Sequence, residues 1–153
     1  MRIVGLDVGE RRIGVAISDV TCTLARPVGV LLSAALDDKA VERTADEIAR
    51  LASEEEGVQS IVVGLPRRLD GSPNAMTPRI TTFATELGAR VGLPVILQDE
   101  RLTSHEAESR LAEHEKDWRV RKKRLDAAAA AVILQDYLDG RPQAGAVAFD
   151  DQD

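Results

Sequence analysis

Two amphipathic, helix-length stretches are each followed by a short, almost purely apolar run, and this alternation constrains the fold more than any other feature. Val41, Ala45, Ile48 and Ala52 step by four, three and four, which places them on one helical face. The β-branched run Ile61-Val62-Val63 comes next. Ile80, Phe83, Leu87 and Val91 mark a second helix closed by Gly92, and Pro94-Val95-Ile96-Leu97 follows it. Short runs with no polar side are read as strands buried on both faces, as in a parallel sheet covered by helices. Aromatic residues are only 3% of the chain, so Ala, Val, Leu and Ile must build the interior.

Upstream, Ile3 to Asp7 is another apolar run and a candidate strand. Gly9-Glu10-Arg11-Arg12 turns the chain, and Ile13 to Asp19 alternates apolar with small or polar residues, predicting an antiparallel partner. Val28 to Leu32 is expected as a third strand after Pro27. Asp37 is placed to N-cap the first helix and Gly57 to terminate it as C′. Gly64-Leu65-Pro66 ends the central run, and residues 67–74 form a loop with Asp70-Gly71 and Ser72-Pro73 as turn signals. Thr103 and Glu106 have the spacing of a capping box. A charged stretch from Glu113 to Arg119 leads to a last helix through Ala127–Ala131 to Leu138, stopped by Gly140 and Pro142. The order β-β-β-α-β-α-β-α-α predicts an α/β domain over residues 1–140. Its mixed five-stranded sheet would have three antiparallel strands, then βαβαβ, with helices on both faces. Residues 141–153 are expected to form a flexible acidic tail.

With 20 basic and 26 acidic residues the net charge is −6, which argues against a purely electrostatic nucleic-acid binder. The basic residues nevertheless cluster, at Arg11-Arg12, Arg67-Arg68 and Arg119 to Arg124. The single cysteine, Cys22, favours a reducing compartment and a packing role. No apolar run approaches the ~20 residues that cross a bilayer, and no signal peptide precedes the first strand, so a cytoplasmic protein is expected. His105 and His114 have no cysteine partners to make a zinc site.

Ligands of open α/β sheets gather at the carboxyl ends of strands. Asp7 ends the first strand, and Asp99-Glu100 follow the last; if those strands are neighbours, Asp7 and Glu100 share one rim. Asp126 precedes five alanines, where the helix must come close to the sheet. Three converging carboxylates repel one another unless a cation neutralises them, and all-oxygen ligation suits Mg²⁺ or Mn²⁺. Two such ions can drive phosphodiester hydrolysis. Each acid has a plainer alternative: a turn or cap role for Asp7, a surface pair with Arg101 for Glu100, and a pair with Lys122 for Asp126.

Four stretches resemble one family. Gly5-Leu6-Asp7-Val8-Gly9 through Arg11-Arg12-Ile13-Gly14-Val15-Ala16-Ile17-Ser18-Asp19 looks like the opening motif of the YqgF/RuvX family. Val63-Gly64-Leu65-Pro66, Asp99-Glu100-Arg101-Leu102-Thr103-Ser104 and Asp126-Ala127-Ala128-Ala129 with Ile133 to Leu138 resemble its later motifs, in the same order. The resemblance implies an RNase H-like fold related to the resolvase RuvC, and a metal-dependent nuclease using Asp7, Glu100 and Asp126 with Mg²⁺ or Mn²⁺. It implies a role in 5′-end maturation of pre-16S rRNA, with ribosomal precursor particles as partners, or else Holliday-junction resolution on branched DNA. The loop Arg67-Arg68-Leu69-Asp70-Gly71 is more basic than in many relatives, and the extra acid of four-carboxylate relatives is missing near Asp126.

Arg11, Arg12, Arg67, Arg68, Arg101, Lys122 and Lys123 are candidate phosphate contacts; solvated surface charge is their alternative. Trp118 is open between base stacking and core anchoring. A sugar-kinase-like ATPase would need a second domain, and no GxxxxGK[ST] loop is present. A non-catalytic nucleic-acid-binding module is the other rival. Junction resolution would suit a homodimer; RNA end processing needs only a monomer.

Overall fold

In chain order the elements are β1 (Arg2–Val8), β2 (Arg12–Ser18), β3 (Ala25–Leu32), α1 (Asp38–Ala52), β4 (Val58–Leu65), α2 (Thr77–Val91), β5 (Val95–Asp99) and α3 (Trp118–Gly140). This computed structural model describes residues 1–100 and 118–141, with the side chains of α3 described from residue 127. The expected capping box at Thr103 and the helix after it lie outside the described residues.

The five strands lie in the order β3-β2-β1-β4-β5. The pairs β1–β2 and β2–β3 are antiparallel, while β1–β4 and β4–β5 are parallel. The expected mixed sheet is therefore present, with β1 at its centre. β3 begins at Ala25, earlier than expected from Pro27. An edge strand tolerates proline, and the register shifts between Val15 and Ala16 where Pro27 pairs.

Alternation of side chains divides the sheet into two faces. Val4, Leu6 and Val8 of β1 join Ile61, Val63 and Leu65 of β4 in a large core under α1 and α2. Ile3, Ala16 and Val62 point the other way, where Ala130, Ile133, Leu134 and Leu138 of α3 cover them. Gln135 fastens α3 to the edge strand, accepting from the Ala25 amide at 2.9 Å and donating to the Thr23 carbonyl at 2.8 Å. Cys22 packs beside this second core, in agreement with its expected role.

Asp37 caps α1 as expected, accepting from the Ala40 amide at 3.1 Å. Gly57 does not terminate α1; the helix ends at Ala52 with Ser53 as its cap. Gly57 instead takes φ +63° in the turn into β4, where its carbonyl accepts from the guanidinium of buried Arg2 at 3.2 Å. The inward face of α1 also shifts at its end: Leu51 is buried and Ala52 exposed, the bulkier side chain taking the core position. Gly92 closes α2 in the left-handed conformation, as expected.

Candidate active site

The carboxyl ends of β1, β4 and β5 form one rim. The loop after β1 is held against α2 by an ion pair between Arg79 and Glu10 at 2.7 Å. The loop after β4 is a small closed structure. Arg67 bridges Pro73, the Arg68 amide donates to the Ser72 carbonyl at 2.9 Å, and the Asp70 carboxylate accepts from the Ser72 amide and hydroxyl at 2.9 and 2.6 Å. Thr77 ties its far end back to the Pro66 carbonyl at 2.6 Å. The turn signals in residues 67–74 are thus realised, with Gly71 at φ +90°.

Asp7 and Glu100 do not come from neighbouring strands. β4 lies between β1 and β5, correcting the condition under which the two acids were expected to meet. The Glu100 carboxyl nevertheless feels the charge of Asp7, and it lies against a glycine of the intervening strand. A Cβ on Gly64 would lie 2.7 Å from Glu100 Oε2, 2.9 Å from Glu100 Cδ and 2.6 Å from Ile133 Cδ1. The glutamate side chain therefore lies back across β4, where its charge is felt together with that of Asp7. Its own amide donates to the Leu65 carbonyl at 3.3 Å, which anchors the residue beside the end of β4.

Burial first, then the neighbouring charges of Asp7 and Asp99, push the Glu100 carboxyl up to about 8. Glu100 Oε2 is buried and has no hydrogen-bond partner among the described residues. A buried carboxylate oxygen without a donor is costly, and a second acid beside it adds repulsion. Asp99 ends β5 opposite Leu65 and is exposed, so it adds charge near Glu100 from the strand's other side.

The third acid is placed by backbone alone. At Gly5 a Cβ would lie 2.7 Å from Leu134 Cβ and 3.1 Å from the Ala130 carbonyl, so α3 nearly touches β1 there. Asp126 is one turn before Ala130, and the opposite end of α3 is pinned near Thr23 and Ala25. The helix thus runs from the rim that carries Asp7 toward the sheet's other end, and the backbone of Asp126 lies at the rim end. Its side chain lies outside the described residues. Among the described residues, no three His, Cys, Asp or Glu side chains form a complete cation-binding group.

Of the candidate phosphate contacts, Arg11, Arg67 and Arg68 are exposed on the rim loops and Arg12 is half-buried at the start of β2. Arg101 lies outside the described residues. Lys122 and Lys123 fall on the first half of α3, with side chains outside them. The open question over Trp118 likewise falls on an undescribed side chain. Sequence reasoning missed Gly5, Gly64 and Ile133 as determinants of the site. Glycine inside an apolar strand is the available signal, since it marks a close approach by another group.

Comparison with known proteins places the chain in a family. Residues 1–140 match the family model described as "RuvX: Holliday junction resolvase". A protein from an Anaeromyxobacter species is 45% identical over 141 residues, covering 92% of this chain and 98% of its own length. One from Chloroflexus aggregans is 44% identical over 139 residues, covering 91% and 94%. Both bear the name "Putative pre-16S rRNA nuclease". Among solved structures, Thermus thermophilus RuvC aligns over 91% of this chain and 97% of its own with a TM-score of 0.49 and 15% identity. With the motifs in order from β1 to α3 and the family match running almost the length of the chain, this protein belongs to the RuvX family.

Proposed function

We propose that this chain is a divalent-cation-dependent nuclease that hydrolyses phosphodiester bonds in 5′-end maturation of pre-16S rRNA, in the cytoplasm. The observation that carries the reading is the buried, partnerless oxygen of Glu100 beside a second acid, Asp7. Such a pair is poor as a structural element and well suited to a hard cation. An all-oxygen donor set of Asp7, Glu100 and Asp126 fits Mg²⁺ or Mn²⁺. When bound, the cation supplies an activated water and neutralises charge on the leaving oxygen.

The chain's own residues do the rest. Ile133 and the bare backbone at Gly64 wall off Glu100 Oε2 from bulk water, which strengthens electrostatic interactions there. Asp7, fixed in the central strand, and Asp126, on the helix that crosses it, complete the acid set from two further elements. Arg11, Arg12, Arg67 and Arg68 flank the rim and would hold phosphates on either side of the scissile bond; Arg101, Lys122 and Lys123 would extend that contact. These contacts set the register of the substrate rather than its sequence.

The relatives named as pre-16S rRNA nucleases favour structured RNA as substrate, for which a monomer acting at a ribosomal precursor particle suffices. The family model's description favours a second reading, resolution of four-way DNA junctions, for which a homodimer would present two acid sets. Purified protein should be incubated with a 5′-extended 16S rRNA precursor fragment and a four-way DNA junction, in Mn²⁺ or EDTA, beside Asp7→Asn and Glu100→Gln. Mn²⁺-dependent cutting of the RNA, lost in both variants, is expected. Cutting of the junction alone would select the second reading. Tight binding without cutting in any arm would turn the assignment to a binding module.

A further inference from the structure

We infer that Gly64 is a positioning residue for the acid site: its missing side chain is the channel through which Glu100 reaches Asp7 across the strand between them. The inference rests on the cation-site reading above and deepens it. Adjacent strands are about 4.8 Å apart, so β1 and β5 are separated by about 10 Å with β4 between them. Acids on such strands do not meet unless one side chain passes over the middle strand. Glutamate has the extra methylene for that crossing, and Gly64 leaves the middle strand bare where it occurs. The fit is tight: the position a Cβ would take at residue 64 is 2.7 Å from Glu100 Oε2 and 2.9 Å from Cδ, closer than any packed carbon tolerates.

Nothing in strand formation asks for glycine there. Glycine weakens a strand interior, and the neighbours Val62, Val63 and Leu65 are all bulky and buried. Gly64 is buried too, and on the α3 side it meets Ile133 Cδ1 at 2.6 Å from the same Cβ position. Two functions are therefore merged at one residue: passage for Glu100 and close packing of α3. A test has to separate them.

Mn²⁺ affinity of the full chain, read by loss of the free-ion electron paramagnetic resonance signal, is measured alongside thermal stability without metal. Glu100→Ala should weaken Mn²⁺ binding tenfold or more, and Gly64→Ala should do the same. In the Glu100→Ala background, Gly64→Ala should cause no further loss, because residues that act through one another are not additive. Adding Ile133→Val to Gly64→Ala relieves the helix contact and should recover melting temperature without recovering Mn²⁺ affinity. Gly64→Ala weakening Mn²⁺ equally in both backgrounds would overturn the inference, as would affinity returning with Ile133→Val, since either makes the effect one of general packing. Unchanged Mn²⁺ affinity in Gly64→Ala, with Glu100→Ala defective, would overturn it while leaving the cation reading intact. Unchanged affinity in Glu100→Ala would remove the cation reading and the inference together.

Discussion

The two faces of the sheet are built from alternate residues of the same strands, yet they are designed for opposite ends. Under α1 and α2 the inward positions Val4, Leu6 and Val8 of β1 and Ile61, Val63 and Leu65 of β4 are all branched aliphatic residues, and the helices sit on a thick core. Under α3 the inward positions are Ile3, Gly5, Asp7, Val62 and Gly64, and Ala130, Ile133 and Leu134 of the helix press directly onto them. The first face gains stability from volume. The second trades volume for approach, so that backbone, helix and carboxylates come within reach of one another. Burial and acid chemistry are thereby kept apart by the period of two of a β-strand.

Opposite substitutions on adjacent residues test that contrast most strongly. Leu6→Ala empties the thick face and should cost about 3 kcal/mol in urea unfolding, as for large-to-small changes in a packed core. Gly5→Ala adds a single carbon to the thin face and should still cost about 2 kcal/mol, because the groups it meets include the Ala130 carbonyl, which cannot swing aside. If Gly5→Ala proved neutral, the two faces would be alike in their tolerance of volume and the contrast would fail.

Among the described residues, the carboxyl pushed furthest from its ordinary value, Glu100, lies on the thin face. In the metal-free protein Glu100 keeps its proton to about pH 8, against 4.5 in a free chain. Between those values the folded state binds more protons than the unfolded one, so stability must fall as pH rises and level off above about 8. The total is a few kcal/mol at most for a side chain that is not wholly buried. Glu100→Gln should flatten this slope, and saturating Mn²⁺ should also reverse it in the unmodified protein. A slope that persists in Glu100→Gln would assign it to another group.

Smaller effects sharpen the picture. Asp37→Ala removes the cap of α1, on the thick side, and should cost about 1 kcal/mol without altering Mn²⁺ affinity. Replacing Arg67 or Arg68 by Ala should move stability by less than about 0.5 kcal/mol. Either change should lower the salt dependence of RNA binding by about one phosphate contact. A large loss of stability instead would mean that these arginines hold the loop together rather than the substrate.

Much of this was readable from the chain. The β-branched runs and helical spacings predict every described element, and burial on both faces leaves a plain apolar signal in β1, β2 and β4. Pro27 hid the start of β3, since an edge strand at a register shift accepts what a central strand rejects. Gly57 was misread because a glycine signals a left-handed residue without saying which turn needs it. Asp7 and Glu100 could be picked out as acids at strand ends, but their meeting depends on strand order, and β4 falls between them. What lets them meet is an absence, the side chain missing at Gly64, which composition and periodicity register only as a weak point in a strand.

The sheet order has a consequence for the chain as it is being made. β1, β2 and β3 are contiguous in sequence and can pair as soon as the chain has emerged through Leu32. The parallel half waits for β4 and β5, and α3 is the last element in the order. Residues 7, 100 and 126 therefore assemble only once α3 has been made. A truncated or ribosome-tethered fragment would carry Asp7 in a formed hairpin with no partner acids. The acid set of the proposed nuclease is thus incomplete on a nascent chain until α3 closes over the sheet.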